Sequence, residues 1–407
     1  MAPELPRQSL VGMLGPAFVA AVAYVDPGNV AANLTAGARY GYLLLWVLVL
    51  ANAMAVLVQF LSAKLGVVTG RTLPELLGQR LGRRARYAYW AQAELVAAAT
   101  DLAEVIGGAV ALQLLFGTPL LVGALITGAA SLLLLALHSR RGIRRFEAAV
   151  IFLLVVIAAG FLSGLVVAPP DPAAAAAGLV PRFAGAETVL LAASMLGATV
   201  MPHAIYLHSA LARDHHGVVD PSRRHAVLAA TRLDVVTALV LAGVVNIAML
   251  LLAASSLRGA AGTDTLAGAH AAVVSELGLG VGLLFAVGLL ASGLASTSVG
   301  AYAGAAIMAG LLHVRVPMLL RRLLTLVPAL VVVGAGVDPT WALVLSQVVL
   351  SFGIPFALVP LVRLTGDRSL MGEHTSGPVT RWTARLAVAL VIALNVVLVV
   401  LVVTGAA

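Results

Sequence analysis

Apolar residues run along this chain in long, nearly unbroken stretches, separated by short segments rich in Gly, Pro and Arg. Reading the stretches between that punctuation predicts eleven spans, at about 12–37, 43–68, 87–116, 119–137, 147–168, 187–211, 226–256, 281–311, 317–336, 340–362 and 383–404. A helix needs roughly 20 apolar residues to cross a bilayer core, and these runs supply them. They are too long and too poor in aromatics for a transmembrane barrel, whose strands are about ten residues of alternating pattern. The predicted fold is therefore all-α and integral to a membrane. Spans three and four are joined by a tight turn at Gly117–Pro119, and 263–280 leaves room for a short helix before span eight.

Composition agrees with this pattern. Of the 407 residues, 61% are hydrophobic and 10% charged, where soluble domains carry about 25% charged residues. Length and continuity argue one membrane domain over 1–407, not a set of soluble ones. The net charge of +8 does not mark a nucleic-acid binder, because the basic residues are scattered through short loops between spans. Counted on alternate sides, one side collects 22 Lys and Arg, from Arg7 through Arg315 to Arg385, and the other only Arg39, Arg182 and Arg258. The positive-inside rule then puts the N-terminus in the cytoplasm and the C-terminus outside, in a cell inner (cytoplasmic) membrane. One missed or invented span would scramble that asymmetry. Cysteine is absent, which excludes disulfides and thiolate metal sites. The opening MAPELPRQSL lacks a small-residue cleavage site and reads as mature sequence.

Two spans are interrupted in the same way. In the middle of the first, Asp26 is followed by Pro27, Gly28 and Asn29. Proline removes a helix hydrogen bond and pushes the preceding residue out of the α region, and glycine allows the dihedrals a break needs. An ionised Asp at bilayer depth is costly unless it is paired or faces water, so the coincidence of acid, proline, glycine and amide points to a site. In the sixth span Met201 precedes Pro202 and His203, with Gly197 just upstream. Spans one and six are corresponding members of two five-span halves, about 12–168 and 187–362, with an extra helix at about 383–404. Five is odd, so the halves have inverted topology, and paired interruptions at matching positions indicate a transporter's midplane binding site. Asp26 and Asn29 offer hard oxygens beside freed carbonyls, and Met201 offers a thioether. That donor mix suits Mn2+ or Fe2+, admits Co2+ or Cd2+, and is poorly matched to calcium or magnesium.

On these residues the sequence resembles the Nramp (natural resistance-associated macrophage protein) metal transporters, whose signature pair looks like Asp26-Pro27-Gly28-Asn29 and Met201-Pro202-His203 on an eleven-span plan. The resemblance covers essentially the whole chain. It implies a leucine-transporter-like inverted-repeat fold and proton-coupled import of Mn2+ or Fe2+, with no permanent cofactor and no obligatory protein partner. It also implies Asp26, Asn29, Met201 and the Ala198 carbonyl as metal ligands. Many members carry Asn after Met-Pro-His where this chain has Ala204, a position outside the implied ligand set.

Other polar residues lie inside the spans. Asp101 and Glu104 share a face of span three, with Glu94 seven residues before Asp101 on roughly that face. A row of buried carboxylates suits proton relay or structural pairing with arginines, and Arg321 and Arg322 early in span nine are the expected partners. His203 adjoins the metal candidates as a ligand or, the favoured readings, a proton site or gating hydrogen-bonder, and His208 is a candidate on the exit path. Asn246 and Gln347 read as interhelical amides, with Gln347 able to join the metal shell in a closed state. His215, His216 and His225, near Asp214 and Asp220, are a weak metal-binding cluster or, the favoured reading, a solvated loop. The rival function is a cation- or proton-coupled symporter of a small organic solute on the same fold, which would want an aromatic-lined pocket; near the breaks only Tyr24 and Tyr206 are aromatic. An intramembrane enzyme lacks its motif, since His203 and His208 fit no HExxH spacing.

Overall fold

A computed structural model describes residues 15–141, 143–259, 262, 263, 265–314 and 316–404; Arg7, Arg315 and the first residues of the first span lie outside them. Among the described residues every regular element is helical. The first span is split into α1 (Pro16–Val22), a 3-10 turn (Ala23–Val25) and α2 (Pro27–Tyr40). Then come α3 (Leu45–Thr69), the short α4 (Leu73–Arg80), α5 (Arg83–Phe116), α6 (Leu120–Arg141), α7 (Ile143–Val167) and the short α8 (Pro172–Ala177). The sixth span is split into α9 (Ala186–Thr199) and α10 (Pro202–His216). The remainder is α11 (Arg224–Leu252), α12 (Leu266–Leu277), α13 (Leu279–Leu312), α14 (Met318–Gly334), α15 (Pro339–Thr365), the one-turn α16 (Arg368–Met371) and α17 (Pro378–Val403).

Among the described residues eight helices are long and apolar enough to cross a membrane. The other three of the eleven expected spans are the interrupted first, α6, and the 17-residue α14 with Pro328 inside it. The room left in 263–280 is taken by α12, and α5 ends on Gly117 in the left-handed conformation at φ 68, as the tight turn requires. Both halves repeat one order: a broken helix (α1–α2, then α9–α10), two long helices (α3 and α5, then α11 and α13), and two more (α6 and α7, then α14 and α15).

The basic residues sort by rim. Arg39 pairs with Glu187, the Trp46 indole donates to the Arg182 carbonyl at 3.3 Å, and the Arg258 side chain lies against Gly41, so the three exceptions share one rim. The other rim holds Arg80 paired with Asp367 at 3.0 Å and Arg213 with Glu75 at 2.7 Å.

α5 and α13, 34 residues each, would extend about 51 Å at a 1.5 Å rise, well beyond a bilayer core of roughly 30 Å. They pack along each other and frame the broken helices; α3 lies against α10 and α11, α15 against α9 and α5, and α17 outside α15. Small residues permit these close crossings, since lipid offers no hydrophobic drive to press helices together. A Cβ on Gly107 of α5 would stand 2.0 Å from the Pro27 ring, and one on Gly66 of α3 would stand 2.2 Å from the Ser209 carbonyl.

Candidate functional site

Both breaks are built alike. Asp26 is extended (φ −71, ψ 168) and caps α2, whose first residue is Pro27. Met201 is extended (φ −67, ψ 122) and caps α10, whose first residue is Pro202. In each case the residue before proline is driven out of the helix and proline opens the next one. The preceding segments end there and expose carbonyls. At the first break the carbonyls of Tyr24 and Val25 are taken by Asn246 Nδ2 at 2.7 Å and Ser292 Oγ at 2.5 Å. Asn246 also accepts from Asn33 at 2.9 Å, which fits its reading as an interhelical amide.

The two breaks meet through Asn29. Its backbone N–H and its side-chain Nδ2 both donate to Asp26 Oδ1 at 2.7 Å, and Nδ2 also donates to the Ala198 carbonyl at 3.0 Å. Asp26, Asn29, Ala198 and Met201 are all fully buried. Gln347 joins them from α15: a Cβ on Gly28 would fall 1.8 Å from its Nε2, and one on Gly197 would fall 2.0 Å from its carbonyl oxygen. Glycine at 28 and 197 is thus what lets Gln347 lie between the broken helices.

Three side-chain oxygens in this pocket, Asp26 Oδ2, Asn29 Oδ1 and Gln347 Oε1, are buried without a hydrogen-bond donor. Buried acceptors normally find one, and leaving one bare costs about 1–3 kcal/mol, more for a charged group. Three buried oxygens without donors, one of them on a carboxyl group, form a set that a bound cation would satisfy. The C-terminal ends at Val25 and Thr199 add negative partial charge, while the Asp26 carboxylate offsets the positive N-terminus of α2.

Span three carries its acids to the arginines. Arg322, fully buried, has Nη1 at 2.5 Å from Asp101 and 3.9 Å from Glu104, and its Nε donates to Ser131 at 3.0 Å. Arg321 pairs with Glu94 at 2.8 Å. Both Glu104 oxygens lack a hydrogen bond, as does Asp101 Oδ2, so one guanidinium is shared by two carboxylates and saturates neither. His203 Nδ1 lies 3.3 Å from Thr100 Oγ1, one residue from Asp101, which joins the second break to this row.

His208 is linked to the first break: its Nδ1 lies 2.7 Å from Gln59 Oε1, and Gln59 Nε2 donates to the Tyr24 hydroxyl. Sequence reasoning missed Gln59, although a lone amide in an apolar span was its signal. It also missed Asp234 of α11, whose carboxylate accepts from Gly15 N at 3.0 Å and Ala17 N at 2.9 Å at the start of α1. The expectation of a solvated loop at His215 and His216 is corrected. α10 continues to His216, and His215 meets the nearly buried Glu147 at 2.9 Å. On the arginine-poor rim a vestibule of about 340 Å3 is lined by residues including Thr35, Arg39, Glu187 and Thr340. Thr35 and Thr340 are six and seven residues from Asn29 and Gln347, about 9 and 10.5 Å along their helices.

A multi-pass helical bundle with two interrupted helices facing across a buried acid is the architecture of a secondary transporter, not of an enzyme. Residues 17–401 match the family model described as natural resistance-associated macrophage protein-like, and the chain belongs to the Nramp family. The divalent metal cation transporter MntH of Mycobacterium tuberculosis is 61% identical over 394 residues, 97% of this chain and 92% of that protein. The MntH protein of Deinococcus radiodurans is 46% identical over 391 residues, covering 95% and 89%. A crystal structure of the Eremococcus coleocola manganese transporter superposes with a TM-score of 0.87 at 32% identity, covering 97% of this chain and 88% of that one. MHP1, a nucleobase-cation-symport-1 family transporter, superposes at 0.61 with 16% identity over 98% and 94% of the two chains, a likeness of fold alone.

Proposed function

We propose that this chain imports divalent transition-metal ions, Mn2+ or Fe2+ and with them Co2+ and Cd2+, coupled to protons by alternating access. The observation that carries the reading is the trio of buried, donorless oxygens on Asp26, Asn29 and Gln347 at the meeting of two broken helices. The names of the bacterial relatives and of the manganese transporter support it. An organic solute is disfavoured because Tyr24 and Tyr206, the aromatics near the breaks, are committed to Gln59 and to the Phe356 carbonyl.

In this reading Asp26, Asn29, Met201, Gln347 and the Ala198 carbonyl hold the ion, with Met201 supplying the soft ligand that disfavours Ca2+ and Mg2+. Protons pass by Asp26, His203, Asp101 and Glu104, with Arg321 and Arg322 balancing the carboxylates. Pro27, Gly28 and Pro202 keep the hinges, and His208 lies on the exit side. The inverted repeats span about 12–168 and 187–362. The protein sits in the cytoplasmic membrane with its arginine-rich rim inside, its N-terminus in the cytoplasm and its C-terminus outside, as the basic-residue asymmetry supports.

The test is uptake of radiolabelled Mn2+ into proteoliposomes with and without an inward proton gradient. Uptake should rise with the gradient, and Asp26→Asn, which keeps shape and removes charge, should reduce it to background. Robust gradient-driven uptake by folded Asp26→Asn protein would overturn the site.

A further inference from the structure

The arginine-rich rim carries a second group of metal-ligating side chains that the transport site does not use. His225 lies in the first turn of α11, and Glu373 and His374 belong to the 3-10 turn Gly372–His374 that follows α16. The fold brings His225 to the adjacent pair Glu373 and His374, about 150 residues further along the chain. One ligand atom from each lies within 4.8 Å of the others. The imidazole rings of His225 and His374 are 4.9 Å apart at 64°, and Glu373 Oε1 stands 3.4 Å from His374 Nε2.

His374 is only 7% exposed, and its Nε2 has no hydrogen-bond partner. A buried, unpartnered imidazole nitrogen turned toward a carboxylate and a second imidazole calls for a ligand. His225 and Glu373 are exposed, so an ion can reach the group from solvent. Bonds of about 2.0–2.1 Å in tetrahedral geometry set ligand atoms roughly 3.4 Å apart. Glu373 and His374 already have that separation, and His225 reaches it by moving about 1.4 Å or less, within the range of a side-chain rotation.

We propose that His225, Glu373 and His374 form a second metal site, for a borderline divalent ion of the Zn2+ or Co2+ kind, outside the translocation path. Two imidazoles and a carboxylate with one position left to water suit Zn2+ and Co2+ and poorly suit Mg2+ or Ca2+. The nearby charges of Arg224 and Lys64 oppose a cation and weaken its binding. Bound metal ties the start of α11 to the turn between α15 and α17.

The test is independent of the transport reading, because it uses full-length Asp26→Asn protein. Chelator-stripped protein in nanodiscs is titrated calorimetrically with Zn2+ alone. One Zn2+ per chain is expected, with affinity falling at least about tenfold when His225→Gln or His374→Gln is added. Zn2+ should also raise the melting temperature of Asp26→Asn protein and leave that of the added His225→Gln variant unmoved. Should His374→Gln fold poorly, the exposed His225→Gln decides alone. Zn2+ binding that survives both substitutions, or no binding up to about 1 mM, would overturn the proposal.

Discussion

Gly28→Ala tests whether Gln347 belongs to the ion's shell. The added methyl would stand 1.8 Å from Gln347 Nε2 and 2.3 Å from its amide carbon, while ordinary contact begins near 3.4 Å. The amide must therefore retreat by about 1.6 Å from Gly28, which disturbs the position Gln347 would hold in the ion's shell under the proposed function. Losing one neutral oxygen ligand should cost about 1–2 kcal/mol, or roughly 5- to 30-fold in apparent Mn2+ affinity. Gln347→Ala should cost a similar amount and also clear the space the methyl needs. The two effects are then strongly non-additive: Gly28→Ala should cost little more once Gln347→Ala is present. The assay is the KM for Mn2+ uptake in the wild type, both single variants and the double variant, with melting curves to confirm folding. Additive losses would refute the reasoning and show that Gly28 serves the hinge alone.

Met201→Ala should leave Mn2+ uptake measurable, lower Cd2+ uptake further, and admit or be inhibited by Ca2+; an unchanged ranking of the three metals would make the methionine packing. Asp101→Asn and Glu104→Gln should disturb proton flux more than Mn2+ affinity, and unchanged flux and coupling in both would end the relay reading. Asp234→Ala removes the carboxylate that accepts two N–H groups at the start of α1; it should cost roughly 2 kcal/mol and lower the melting temperature, and an unshifted melt would show that the cap is not holding the helix.

The sequence displayed what is local. Asp-Pro-Gly-Asn and Met-Pro-His encode their breaks within four residues, because proline acts on its neighbour. The arginine asymmetry and the acid row with Arg321 and Arg322 were legible because bilayer cost makes intramembrane charges conspicuous. By that rule Asp234 and Glu147 should also have drawn notice, but their partners, Gly15 and His215, lie 219 and 68 residues away. No spacing rule reaches so far. The end of α10 was misplaced because Arg213-Asp214-His215-His216 breaks the apolar pattern; Gly217, at φ 63, was the better stop signal. That Gln347 faces the pocket depends on how α15 crosses Gly28 and Gly197, which only the packed bundle determines.

Gln347 touches both interrupted helices at once, with its side chain on Gly28 and its main chain on Gly197. It works as a caliper whose jaws rest on the two hinges. The contacts are made against hydrogen atoms, with no side chain on the glycine side to flex or change rotamer, so the mechanism has no backlash. Because one residue of α15 bears on both glycines, a tilt of α15 is expected to shift at least one of the two interrupted helices. A single spectroscopic label on the exposed face of α15, for instance at Trp341 on the vestibule rim, is therefore expected to report the separation of the two breaks without altering any of the proposed ligands.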